Sequence, residues 1–210
     1  MKLALPKCLQ GPDDSEALRL LTGYYDPDRK GTANVGAWWD GFDPSGRRAG
    51  DADRFTSDDL VALSLLSERV PGAAAHKLLV TETHRFSELL AEVGADRDLA
   101  DQAVPVDAGD PGSRLYAAVR GLPHIGRTRA SKLLARKRPR PFPIRDEVVE
   151  TVLELRQDFW EPLRAALRAK DGALDDRLRR LHAQAALSPE VSRLRVLDVV
   201  AWAEGKERRL

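Results

Sequence analysis

Asp146 is the residue whose type and position in this sequence best suit chemistry. It follows Thr128 by 18 residues, across a predicted helix and a proline-rich loop. The stretch from Arg114 to Arg145 just before it has ten lysine and arginine residues and no acid, although the net charge of the chain is only +1. A fixed carboxylate beside such a stretch could stabilise a cation that develops in a molecule bound through its phosphates.

The elements that must position Asp146 begin with a tight turn, Gly121-Leu-Pro-His-Ile-Gly126, between two helical patterns. We expect Gly121 to end the first helix in a left-handed conformation, Pro123 to prevent its continuation and Gly126 to let the chain turn. The apolar residues that recur at helical spacing on either side are Leu115, Ala118, Val119 and Leu122, then Ala130, Leu133 and Leu134. This pattern predicts a helix-hairpin-helix over about residues 113–137.

Such a turn is suited to holding the backbone of a nucleic acid. The amides of Gly126, Arg127 and Thr128 are expected to point outward at the start of the second helix, where they form an anion site. The residues expected to contact DNA are Gly121, Pro123, His124, Gly126, Arg127, Thr128, Arg129 and Lys132. The alternative is a solvated basic face, which we rank second because this charge is centred on a hairpin.

Three groups of residues connect the hairpin with a known family. They are Leu122-Pro-His-Ile-Gly126, Ala130 with Leu133 and Leu134, and Pro143-Ile-Arg-Asp146 before a helix. Over about residues 115–149 the chain resembles the helix-hairpin-helix DNA glycosylases of the endonuclease III type. The resemblance implies that a damaged nucleotide is flipped into a pocket between two helical lobes, where the bond between base and sugar is cleaved.

Asp146 matches the aspartate that, in this family, stabilises the oxocarbenium-like sugar and orients the attacking water. We expect the neighbouring Arg145 to stabilise the charge of this carboxylate. The same aspartate also suits the N-cap of the helix that follows it, and the two roles can coexist.

Departures from the family narrow the expected activity. Thr128 stands where strand-nicking members have a lysine that forms a Schiff base, so we expect no lyase activity. His124 replaces a glycine of the family's hairpin, and Arg145-Asp-Glu147 replaces a more apolar setting. The resemblance therefore implies a monofunctional glycosylase, with an alkylated or otherwise modified purine as the favoured substrate.

Two other classes of function remain open. The first is a non-catalytic helix-hairpin-helix protein that binds DNA through its phosphates alone. The second is a helical interaction module whose basic face binds an acidic protein. A salt series on duplex binding separates DNA binders from the interaction module.

An aromatic loop over residues 26–55 contains Trp38, Trp39 and Phe42, which could form the surface on which an extruded base stacks. Alternatively, these side chains anchor the loop to the core. The segment Thr56-Ser-Asp-Asp59 is typical of a helix cap.

The periodic segments predict an all-α, two-lobed fold with Asp146 at the mouth of the cleft. Residues 1–55 are expected to pack with the C-terminal lobe of residues 141–210, and residues 56–140 to form a helical lobe that ends in the hairpin. A helical interruption is expected at Asp171-Gly172.

Composition excludes several classes of site. Cys8 is the single cysteine, which rules out an internal disulfide and a cysteine-held iron–sulfur cluster, and the four histidines lack metal-ligand spacing. We expect no cofactor and no metal. No apolar run approaches the roughly 20 residues of a membrane span, and no signal peptide is recognisable. The expected protein is a cytoplasmic monomer that binds double-stranded DNA, on the nucleoid if it is bacterial.

Overall fold

Helices form the regular secondary structure of this protein. The computed structural model describes residues 3–28, 34–102, 107–155 and 159–210, and it contains no strand within these ranges. The α-helices are α1 (Ser15–Tyr25), α2 (Ser57–Ala62), α3 (Gly72–His76), α4 (Thr83–Val93), α5 (Pro111–Arg120), α6 (Arg127–Lys137), α7 (Glu147–Val152), α8 (Trp160–Gln184) and α9 (Arg193–Glu207). The prediction of an all-α protein is confirmed.

Two clusters of buried apolar side chains divide the fold. The first cluster joins α1, α7, α8 and α9, and the second joins α2 to α6. The N-terminal segment contributes to both, because Leu20 lies in the first cluster whereas Trp39 and Phe55 lie in the second. Ile144 still packs in the second cluster and Val149 already packs in the first. The loop before α7, which contains Asp146, therefore passes from the second cluster to the first.

The predicted hairpin consists of α5 and α6 joined by the turn over residues 121–126. Asp110 caps α5, since its Oδ1 accepts a hydrogen bond from the amide of Gly112 at 2.8 Å. The left-handed residue of the turn is His124, with φ +57°, and the expectation for Gly121 is wrong. Gly121 keeps a right-handed conformation with φ −72°, because its amide still donates to the carbonyl of Ala117 and the chain reverses only after Pro123.

Helix ends follow the capping and proline signals of the sequence. Thr56 and Asp59 form the capping box of α2, in which the Thr56 amide donates to Asp59 Oδ2 at 2.9 Å. Backbone angles depart from helical values at residues 169–172 inside α8, which confirms the interruption expected there. Residues 29–33 of the predicted aromatic loop lie outside the described residues. No described helix has both the length and the apolar character that crossing a membrane requires.

Candidate active site

Asp146 caps α7 with one carboxylate oxygen and leaves the other for a second contact. Its Oδ1 accepts a hydrogen bond from the amide of Val148 at 3.1 Å, which confirms the N-cap interpretation. Its Oδ2 lies 3.5 Å from the ammonium nitrogen of Lys132. The side chain is 25% exposed, so the cap fixes a carboxylate that a small molecule could still reach.

Lys132 is buried against Asp146 and does not lie on the outer face of the hairpin. Its side chain is 5% exposed, and its Nζ donates to the carbonyl of Leu66 at 2.9 Å. This corrects the expectation of a phosphate contact, since a buried ammonium with two internal partners does not extend to a phosphate on the surface. The position of Lys132 on α6 makes it the cation that stabilises the charge of Asp146.

Arg145, which was expected to stabilise Asp146, faces other partners. Its Nε donates to Glu150 Oε1 at 2.6 Å, and its guanidinium lies 5.2 Å from the ring centre of Phe159. Adjacent residues on extended backbone point in different directions. The cation beside Asp146 is therefore Lys132 of α6 and not Arg145, its neighbour in sequence.

A cavity of about 910 Å³ opens beside Asp146 and Lys132, and we call it the Asp146 cavity. Its lining includes Tyr24 and Trp202, whose rings meet edge to face with centroids 5.8 Å apart. The other lining residues are Arg19, Leu20, Gly23, Asn34, Val35, Gly36, Leu65, Leu66, Ser67, Ile144, Arg195, Asp198, Ala203, Lys206 and Glu207. Both apolar clusters contribute to this lining, and the volume is within the range of small-molecule sites.

The wall of the Asp146 cavity is fixed by a buried arginine, Arg195 of α9. Its Nη2 donates to Tyr24 Oη at 2.7 Å and to the carbonyl of Gly36 at 3.1 Å, while its Nε donates to Asp40 Oδ2 at 3.3 Å. Its Nη1 donates to Asp198. A Cβ at Gly36 would lie 2.3 Å from Tyr24 Oη, so glycine is needed for this close approach. Burial raises the pKa of Tyr24, which therefore remains a neutral partner of Arg195.

The last turn of α6 also points inward. Arg136 Nε lies 3.2 Å from Asp59 Oδ1, and Lys137 Nζ lies 2.9 Å from Asp59 Oδ2. The guanidinium of Arg136 also donates to the carbonyl of Trp39 at 3.0 Å. Burial lowers the pKa of both cations below their ordinary values. These contacts join α6 to α2 and are unsuited to phosphate binding.

Half of the basic stretch is therefore internal, which corrects its interpretation as a single phosphate-contacting face. The buried members are Lys132, Arg136, Lys137, Arg138 and Arg145. Their acidic partners lie outside the stretch, some close to it in sequence, as Glu150 is to Arg145, and others far from it, as Asp59 is from Arg136.

The turn at the start of α6 remains the open part of the hairpin. Gly121, His124, Gly126 and Arg127 are exposed, and Pro123, Thr128 and Arg129 are partly exposed. Gly126 is the N-cap of α6 but has no side chain to bond the first amides, and a Cβ built there would meet nothing within 4 Å. Arg129 lies 2.9 Å from Glu68, next to Ser67 of the Asp146 cavity. The open turn thus lies close to the edge of that cavity.

The three aromatic residues proposed for base stacking do not meet Asp146. Trp39 is 2% exposed and lies under the guanidinium of Arg136, 5.8 Å from it. Trp38 is 57% exposed, and with Phe42 it lines a different cavity of about 1350 Å³. The aromatic side chains that line the Asp146 cavity are Tyr24, which is buried in the first apolar cluster, and Trp202, which packs against that cluster.

The described residues contain no group of three histidine, cysteine or acidic side chains that could hold a metal ion. Burial, together with the neighbouring Glu204, raises the pKa of the Cys8 thiol to about 12. This cysteine is therefore protonated and unreactive at neutral pH.

Comparison with known proteins matches residues 17–205 to the model of a family described as a family of unknown function, DUF6308. No curated protein and no solved structure matches the chain. The matched range includes the hairpin, Asp146 and nearly all the residues that line the Asp146 cavity.

Proposed function

Because the chain belongs to DUF6308, a family of unknown function, we propose an activity from its own residues. It is a monofunctional DNA glycosylase, a cytoplasmic monomer that flips a damaged or modified base of double-stranded DNA into the Asp146 cavity. The observation that carries the proposal is the second oxygen of Asp146. A cap fixes this carboxylate, a buried lysine neutralises it in part, and a cavity with two aromatic walls opens beside it.

The chemistry suits this arrangement because cleavage of an N-glycosidic bond leaves positive charge on the sugar. A preorganised carboxylate in a partly dry cavity stabilises such a charge without having to reorient. Asp146 Oδ2 would also orient the water that attacks the sugar. Trp202 keeps part of its surface exposed in the cavity, where a flipped base can pack against it, and the buried Tyr24 contacts it edge to face.

In this proposal the hairpin binds the phosphate backbone of the DNA. The amides at the start of α6 have no side-chain cap from Gly126, so they can bond a phosphate oxygen. Arg127 keeps 49% of its side chain exposed near this end. The pair of Arg129 with Glu68, the residue next to Ser67 of the cavity, supports the proposal that a duplex held at the turn reaches Asp146.

The absence of lyase activity follows from two residues. Thr128 has no amine, and the nearby amine of Lys132 is engaged by Leu66 and Asp146. An ammonium that is held by a carboxylate is not a nucleophile. Sugar chemistry at this site is therefore proposed to stop at hydrolysis.

Release of free base from duplexes with single lesions tests the proposal. We expect Asp146→Asn to lower the single-turnover rate by at least about 100-fold, because asparagine keeps the N-cap but lacks the charge. Asp110→Asn is the matched control, since Asp110 caps α5 in the same way and lies outside the cavity. If native protein and Asp146→Asn both bind duplexes and neither releases a base from a broad panel that includes alkylated purines, the proposal is wrong.

A non-catalytic DNA-binding protein is the second candidate. The observation that favours it is that both oxygens of Asp146 already have internal partners, Val148 and Lys132, which is sufficient for a purely structural role. Salt-dependent duplex binding without base release would support this alternative.

A further inference from the structure

Besides Asp146 and the exposed Glu207, which pairs with Arg19, the Asp146 cavity has a carboxylate on α9, that of Asp198. It lies one helical turn before Trp202, and both residues line the cavity. Its side chain is 8% exposed, against 25% for Asp146. One cavity thus combines a more accessible acid at the start of α7 with a more buried acid on α9.

The two acids have different cationic partners. Lys132 lies beside Asp146, whereas Asp198 pairs with Arg195. Arg195 also donates to Asp40, so its single charge is divided between two carboxylates. Asp198 therefore receives only part of the compensation that a buried carboxylate needs.

Burial and the charge of Asp146 raise the pKa of Asp198, the charges of Arg195 and Lys132 lower it, and the net result is a pKa of about 6. The other titratable groups around Arg195 are Tyr24, Tyr25 and Asp40, and burial raises the pKa of both tyrosines so that they stay protonated. A carboxyl group with this pKa carries a proton in a useful fraction of molecules near neutral pH.

We propose that Asp198 is the proton donor of the Asp146 cavity and that the cavity accordingly takes neutral purine bases, whose departure requires protonation. This inference rests on the proposed glycosylase function. Two carboxylates with separate roles are the usual arrangement for cleaving a glycosidic bond.

The step balances in atoms and charge. As the bond between the sugar carbon and the base nitrogen breaks, its electron pair goes to the base, and the Asp198 proton goes to a ring nitrogen of that base. Water adds to the sugar carbon, and the proton it loses goes to Asp146. Exchange with solvent then returns a proton to Asp198 and removes one from Asp146, which leaves free base and an abasic sugar.

Neutral and cationic bases differ in their need for this donor. A base with a fixed positive charge becomes neutral when its bond breaks, so it leaves unaided. A neutral base would leave as an anion unless a proton is supplied. A donor in the cavity therefore accelerates the release of neutral bases selectively.

The experiment compares duplexes that contain hypoxanthine, a neutral base, with duplexes that contain N7-methylguanine, a cationic one. Native protein should release hypoxanthine more slowly as the pH rises through about 6, because the protonated form of Asp198 is lost there. Asp198→Asn should lower hypoxanthine release by at least about 100-fold and abolish this pH dependence. Its release of N7-methylguanine should change by less than about threefold.

Asp40→Asn is a second probe, since Asp40 shares Arg195 with Asp198 but does not line the Asp146 cavity. It leaves more of the Arg195 charge to Asp198, so the loss of hypoxanthine release should move to lower pH, while the release of N7-methylguanine should not change. Equal losses on both substrates in Asp198→Asn, or no loss on hypoxanthine, would overturn the inference while the glycosylase proposal stands. Release of neither base nor any other base by native protein overturns both.

The native protein provides a measurement that does not depend on the folding of a variant. Hypoxanthine release that stays constant or rises above pH 6 would overturn the role of Asp198, and so would release of N7-methylguanine alone.

Discussion

Both ends of α6 are positively charged, but the cations differ in how exposed they are. At the first turn, Arg127 and Arg129 keep 49% and 37% of their side chains exposed. At the last turn, Arg136 and Lys137 keep 1% and 2%, and both converge on Asp59. The cations at the start of this helix are partly exposed and pair with Glu150 and Glu68, whereas those at its end are buried and join two elements of the core.

The difference shows that a basic stretch in a sequence does not by itself define a surface. Asp59 precedes Arg136 by 77 residues, so the stretch is free of acid locally although its cations are paired in the fold. Only the residues around the turn remain candidates for phosphate contacts. The case for nucleic-acid binding therefore depends on the turn and not on the count of charges.

Replacing Asp59 by alanine is expected to give the largest effect. It leaves Arg136 and Lys137 buried without a counter-charge and removes the capping box of α2. Breaking a buried ion pair in this way costs about 3–5 kcal/mol in the free energy of unfolding. Denaturant unfolding monitored by circular dichroism measures the loss.

Asp58→Ala is its control, because Asp58 is the preceding residue of the same helix and accepts only an exposed hydrogen bond from the amide of Ser45. We expect it to cost less than about 1 kcal/mol. Equal losses in the two variants would mean that the last turn of α6 does not depend on its ion pairs.

Gly126→Asp tests the first turn and should abolish duplex binding, or weaken it by at least about tenfold, without unfolding the protein. The backbone at Gly126 has φ −86°, which any residue adopts, and a Cβ there has open space. Aspartate is also a favoured N-cap, so the stability should be unchanged or slightly raised. The aspartate carboxylate, however, would accept hydrogen bonds from the amides that are proposed to hold a phosphate.

Gly126→Ser separates charge from capping, since serine bonds the same amides without a negative charge. We expect a smaller loss of duplex affinity than in Gly126→Asp. Fluorescence anisotropy at fixed salt compares the two, and full affinity in Gly126→Asp would remove the turn from the proposed interface.

Local signals predicted much of the fold because they act over a few residues. Thr56 and Asp59 marked the start of α2, and the proline at position 139 marked the end of α6. The interruption expected at Asp171 and Gly172 lies within the non-helical residues 169–172 of α8, where Gly172 has φ +82°. The left-handed residue of the turn was misplaced, because either Gly121 or His124 could reverse the chain and only the packing of the hairpin decides.

Only the part of the site that neighbouring residues form was predictable from the sequence. The cap formed by Asp146 follows from the residues just around it. Lys132, Tyr24 and Trp202 come from three other helices, and Tyr24 bonds Arg195 across 171 residues of sequence. No periodicity or spacing encodes such contacts, since they arise only when helices far apart in sequence, such as α1 and α9, pack together.

The smallest expected effect again contrasts the two ends of α6, now through salt dependence. Arg127→Ala should reduce the slope of log affinity against log salt by about 1, with a stability change within about 0.5 kcal/mol. Arg138→Ala should leave that slope unchanged and cost about 2 kcal/mol in stability, since Arg138 donates to the carbonyls of Ala52 and Gly94 at 2.8 Å each. If Arg138→Ala alters the slope as much as Arg127→Ala does, the basic stretch acts as one surface and the distinction between its ends fails.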